Sequence, residues 1–149
     1  MKNLIKLSIA FSLIFILGCK SEEEKKQELI FSINETFCQD IRSIIKKSIN
    51  EMTFGIGGSV YESLVTKSQE KEIFCDQIVP VLKKDLNDLT LPELEKIQLS
   101  TTEKNKFILR TIVSHKDDLL KQYEKYQPEV KKYADILFEF ATKKTSQNL

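Results

Sequence analysis

Between Leu29 and Met52 a series of apolar residues runs Leu29, Ile30, Ile33, Phe37, Ile41, Ile44, Ile45, Ile49 and Met52. From turn to turn they step by threes and fours, which draws one stripe along a helix of 3.6 residues per turn. A strand needs a period of two and cannot keep these side chains on one face. The spacing predicts a long helix from about Glu24 to Met52. "FGIGGS" then interrupts it. Gly55, Gly57 and Gly58 read as a turn, because glycine tolerates the backbone angles that close a helix.

The pattern resumes beyond the turn. Tyr61, Leu64 and Val65 restart it, and the polar run "TKSQEKE" leaves a gap. Ile73, Phe74, Ile78, Val81, Leu82, Leu86 and Leu89 continue it, with Pro80 predicting a kink or break nearby. Pro92 suits the first turn of another helix, and Ser100 with Glu103 has the spacing of a capping box. Ile108, Ile112, His115, Leu119, Tyr123 and Tyr126 form the next stripe. Pro128 opens the last helix, with Val130, Tyr133, Leu137 and Phe140 inward. Residues 144–149 read as a frayed tail. All-β folds need frequent turn residues, and this chain has only four glycines and three prolines. The expected class is all-α, a compact bundle of four or five helices forming a single domain over 28–143.

Three cysteines are available, Cys19, Cys38 and Cys75. Cys38 precedes Gly55 by the same interval at which Cys75 follows Gly58. In an antiparallel hairpin folded at "GIGG" the two come level, so a Cys38–Cys75 disulfide is expected across an N-terminal helical hairpin. The polar gap and Pro80 are the features that would disturb this symmetry. A short echo accompanies it, "FCQDIRSIIKK" from Phe37 and "FCDQIVPVLKK" from Phe74.

The start of the chain is of another kind. Lys2 and Lys6 precede an apolar run, Leu7 to Leu17, that is too short to span a bilayer at about 20 residues per crossing. It ends in Ile16-Leu17-Gly18-Cys19, followed at once by "KSEEEKKQ". Position, order and spacing resemble the lipobox signal of bacterial lipoprotein precursors. The resemblance covers residues 1–19 only. It implies that 1–18 are removed and that Cys19 carries a diacylglyceryl group, with its new amine acylated by a fatty acid such as palmitate. Two or more chains hold a protein on its membrane where one does not. Residues 19–27 then read as lipidated cysteine and charged tether, extended by its like charges. Lys20 in the position after the cysteine resembles the pattern of outer-membrane sorting, so the expected location is the bacterial envelope, on the outer membrane.

Loss of Lys2 and Lys6 leaves 21 basic residues against 22 acidic ones, with both signs interspersed. No basic stripe with interleaved aromatics is present, which argues against nucleic acid. Catalytic patterns are missing as well. His115 is the sole histidine, and its place in a stripe predicts a buried residue bonded to a neighbour. A structural zinc site needs about four His or Cys ligands. "GIGG" lacks the glycine spacing of a dinucleotide fingerprint, and "GSVYES" is no nucleophile elbow. No metal or cofactor is expected. The sequence reading is a noncatalytic interaction module anchored through lipid, with a protein partner in the envelope or outside the cell. The alternative is a carrier of an apolar lipid or peptide, held in a cavity between helices and lined by Phe31, Phe37, Phe54, Phe74, Phe107, Phe138 and Phe140.

Overall fold

The structure, a computed structural model, describes residues 20–53 and 57–147. Regular structure among them is helical throughout, in seven helices. These are α1 (Glu22–Met52), α2 (Gly57–Leu64), α3 (67–87), α4 (Leu91–Leu99), α5 (Thr101–Ser114), α6 (Lys116–Tyr123) and α7 (Pro128–Ser146). Helix α3 is composite: an α turn at Lys67–Glu70, a π stretch at Lys71–Cys75 and an α segment at Asp76–Asn87.

Helix α1 begins earlier than a charged tether would allow. The Ser21 hydroxyl accepts the Glu24 backbone N–H at 3.2 Å, and the Glu24 carboxylate accepts the Ser21 N–H at 2.9 Å. This reciprocal box satisfies two donors that a helix N-terminus leaves open. Glu22, Glu23 and Glu24 also sit at the positive end of the helix dipole. Like-charge repulsion is therefore outweighed, and 22–27 are helical where an extended tether is expected.

Helices α1 and α3 form the disulfide-linked hairpin. Cys38 and Cys75 are bonded, with Cα atoms 5.2 Å apart. On one side of the bond the arms keep step. Lys26 precedes Cys38 by the same interval at which Asn87 follows Cys75, and the Lys26 ammonium donates to the Asn87 carbonyl at 2.9 Å. On the other side they do not. Arg42, four positions after Cys38, pairs with Glu70, five positions before Cys75, at 3.2 Å. The extra residue is absorbed by the π stretch, where the Asp76 N–H reaches back to the Lys71 carbonyl. The break at Val65–Thr66 takes up more, since Gly58 lies against Asn50. The cysteines do meet, but through arms of unequal residue use. The irregularity expected around Pro80 lies at 71–75, and the chain passes Pro80 within a helix.

The remaining helices close over this hairpin. Thr90 and Glu93 form the capping box of α4, and the Ser100 hydroxyl caps α5 by accepting the Glu103 N–H at 3.3 Å. Ile33, Phe37, Ile45 and Ile49 of α1 share one buried core with Ile78, Leu82 and Leu86 of α3, Ile108 and Ile112 of α5, and Leu137 and Phe138 of α7. The stripe through 108–126 is split at His115, and a separate α2 forms after the glycines, so the helices outnumber the expected four or five. The tail is also more ordered than expected. Helix α7 continues to Ser146, where Lys144 bridges to Glu51 at 2.9 Å and lies over the Phe140 ring.

Candidate functional site

Cys19 and Gly55 lie outside the described residues. Gly57 opens α2, and a Cβ on Gly58 would come within 2.6 Å of the Asn50 Oδ1. A side chain at position 58 would have to displace the Asn50 amide, which the glycine leaves in place. Lys46 and Glu62 pair across the same junction at 3.0 Å.

His115 is half-buried at the junction of α5 and α6, where the helix break turns it out of the fully buried stripe. Its partner arrives through the fold. His115 Nε2 lies 3.1 Å from Asp85 Oδ1, and the Thr111 hydroxyl donates to Asp85 Oδ2 at 3.0 Å. A nucleophilic triad needs the hydroxyl on the imidazole. Here it is on the carboxylate, whose two oxygens are both engaged. The cluster ties α3 to the α5–α6 junction. Among the described residues no three His, Cys, Asp or Glu side chains gather as a metal cage would require.

A second polar cluster lies inside the hairpin. Glu70 is buried, accepting the Tyr61 hydroxyl at 3.0 Å and facing Arg42 Nε at 3.2 Å. Burial first, then the Glu70 charge, pushes the Tyr61 phenol far above its ordinary range. Tyr123 is shifted the same way by burial. Its hydroxyl has no hydrogen-bond partner among the described residues. Surface carboxylates move oppositely. Glu51 is held below the usual range by its bond to Lys144, Glu93 by Thr90, and Glu103 by Lys106 and Lys96.

The phenylalanines sort into core and surface. Phe37, Phe74, Phe138 and Phe140 are buried, and rings pack on rings: Phe37 on Phe107 at 6.2 Å, Phe74 and Phe138 each on Tyr123 at 5.9 Å. Such contacts pack these rings against one another in the core. Phe54 lies outside the described residues. The described grooves open to solvent. One of about 520 Å³ runs between α6 and α7, lined by Leu120, Asp135, Phe138 and Lys143. Another of about 270 Å³ has an apolar floor of Ile44, Leu109 and Phe140, with Lys47, Lys106 and Lys144 at its rim.

The exposed apolar side chains stand out against this. Phe31 is 66% exposed and Leu99 87% exposed. They flank one hydrogen bond between neighbouring helices, Gln98 Nε2 to Ser32 Oγ at 3.0 Å. One aromatic side chain of α1 and one aliphatic side chain of α4 thus stand in solvent. Phe31 stands two positions before the buried Ile33, and a step of two carries a side chain to the far side of a helix. It therefore lines no cavity between helices. Among the described residues no helix is long and apolar enough to cross a membrane. No protein-family model, curated protein or solved structure matches this chain.

Proposed function

We propose that the chain is a lipid-anchored protein of the bacterial envelope whose helical domain binds a protein partner and catalyses no reaction. Residues 1–19 supply the anchor by their resemblance to a lipobox signal, with Cys19 as the acylated residue and Lys20 favouring the outer membrane. The observation that carries the binding role is the pair Phe31 and Leu99. Large apolar side chains left in solvent on adjoining helices favour burial against another surface. The ring-on-ring packing of the interior supports this reading over that of a carrier.

Two measurements test it. Labelled fatty acid should enter the wild type and be absent from Cys19→Ala; equal labelling of both refutes the anchor. A photo-crosslinking residue at position 31 or 99, in cells, should yield a discrete adduct with one envelope protein, and the same residue at exposed Lys131 should not. Identical products from all three positions refute the binding surface.

A further inference from the structure

Three helices meet at the groove floored by Ile44, Leu109 and Phe140, and each brings one ammonium group to its rim. On α1, Lys47 stands three positions after Ile44. On α5, Lys106 stands three before Leu109, and on α7, Lys144 stands four after Phe140. Steps of three and four set each lysine beside its own apolar neighbour on one helix face. The Lys144 ammonium lies 5.3 Å from the centre of the Phe140 ring. Lysine stems are hydrocarbon, so they carry the apolar floor up the walls while the charges stay in water. Thr102 and Asn105 complete the lining, and no carboxylate among the described residues takes part in it.

The carboxylates nearest this rim do not cancel its charge. Lys144 and Lys47 share Glu51, at 2.9 and 3.9 Å, and Lys106 and Lys96 share Glu103, at 3.0 and 3.2 Å. Four ammonium groups thus face two carboxylates, and Lys143 adds its field at Glu51.

We infer that this groove binds a small organic acid, a carboxylate on an aryl or short alkyl body, with the body on Ile44, Leu109 and Phe140 and the carboxylate among the rim lysines. Charge selects an acid over an amine or an alcohol. Volume selects the size. The groove offers about 270 Å³, and at about 30 Å³ per non-hydrogen atom, the share of one water molecule, that holds about nine. Sites for drug-sized ligands run to about 300–1,000 Å³, and the long acyl chains of a lipid exceed what fits here. The groove is also distinct from Phe31, since Ile44 lies about 20 Å further along α1 at about 1.5 Å per residue. Neither the lipid anchor nor a protein partner is needed for it.

3-Phenylpropionate is the probe, because its skeleton has about nine carbons and it dissolves in water. Added to the full chain with carbon-13 in the Ile and Leu methyl groups, it should shift the Ile44 and Leu109 signals saturably, with half-saturation on the order of 1 mM. 3-Phenylpropanol and 3-phenylpropylammonium should bind at least about tenfold more weakly, and propionate, which lacks the ring, should leave both signals in place. Each exposed ion pair is worth up to about fivefold in affinity, so Lys47→Gln combined with Lys106→Gln should weaken 3-phenylpropionate by about tenfold. Both side chains reach solvent and the floor is untouched, and unchanged methyl signals from buried Ile33 and Leu137 report that the variant is folded. Absence of a saturable shift overturns the site. So does equal binding of the alcohol, an equal response to propionate, or indifference of the folded protein to the paired substitution. An acidic pentapeptide with a central phenylalanine that binds tenfold more tightly than 3-phenylpropionate overturns the free acid in favour of a side chain from a protein.

Discussion

Replacing Tyr123 by Phe should stabilise the protein. The ring is fully buried and packs against Phe74, Tyr126 and Phe138, with centroids 5.9, 6.0 and 5.9 Å away. Phe keeps every one of those contacts. Only the hydroxyl is lost, and it has no partner among the described residues. A buried unpaired hydroxyl costs about 1–3 kcal/mol in lost hydration, so its removal should add about 1 kcal/mol and raise the melting temperature by about 4 °C. The advantage should grow in alkali. Burial raises the folded-state pKa of this phenol above the unfolded value of about 10, so above that pH the unfolded chain releases a proton that the folded chain keeps. Stability from this group is complete below about pH 10 and declines as pH rises, by about 1.4 kcal/mol at pH 11. Tyr61 behaves likewise. Urea unfolding of wild type, Tyr123→Phe and Tyr61→Phe at pH 8 and 11 separates the contributions, because lysine effects common to all cancel. A Tyr123→Phe variant that is less stable at pH 8 refutes the reasoning and means that the hydroxyl is bonded.

Three other outcomes follow from particular contacts. Cys38→Ala with Cys75→Ala opens a bridge whose ends are 37 residues apart, and the chain-entropy relation gives a loss of about 4 kcal/mol; a change under about 1 kcal/mol by urea unfolding would contradict it. Glu70→Gln keeps an acceptor for Tyr61 but removes the charge facing Arg42, and since Arg42 is one-third exposed the cost should be about 1–2 kcal/mol by thermal melting, well below that for a fully buried pair. His115→Gln should lose about 1 kcal/mol, the order of one partly exposed hydrogen bond, and should still rescue a deletion strain. A folded His115→Gln that reaches the membrane and rescues nothing would return the Asp85–His115 pair to consideration as a catalytic group.

The parts of the fold legible in the sequence are those carried by local spacing. The stripe from Ile30 to Ile49 places α1 to within two residues at its start, and the glycines and Pro128 mark the hairpin turn and the last helix. The Cys38–Cys75 pairing is legible because both cysteines are referred to one turn. Ser21 and Glu24, at capping-box spacing, carry the signal for the early start of α1, and the run of like charge around them masks it. Other features have no local signal. Asp85 and His115 are 30 residues apart and meet only because α3 and α5 cross. The Arg42–Glu70–Tyr61 cluster depends on the π stretch, which adds one residue to one arm. The polar run "TKSQEKE" reads as a gap because the buried acid within it, Glu70, takes its partners from elsewhere in the hairpin. Phe31 belongs to no stripe, and its exposure emerges only once the phase of α1 is fixed by its neighbours.

Register is the property of this hairpin that burial alone specifies least. Ile33, Phe37, Ile41, Ile45 and Ile49 recur at intervals of four, so sliding α1 by four residues, about 6 Å, sets one isoleucine where another had been. The apolar area buried would change little, because four of the five side chains are the same. Polar contacts discriminate better: Lys26 to Asn87, Arg42 to Glu70, and Lys104 to Thr36. Two of these are exposed or partly exposed, and each of that kind is worth about 1 kcal/mol or less. The disulfide is the one contact that admits a single register, because its α-carbons must lie within about 7 Å. Its removal should therefore do more than weaken the fold. The double alanine variant should populate slipped hairpins, visible in amide nuclear magnetic resonance spectra as doubled or broadened signals from α1 and α3, with α7 much less affected. Addition of Arg42→Ala should increase the minor set. A single sharp set of signals in both variants, superimposable on the oxidised protein away from the mutated residues, would mean that packing selects the register by itself and that the bridge contributes stability alone.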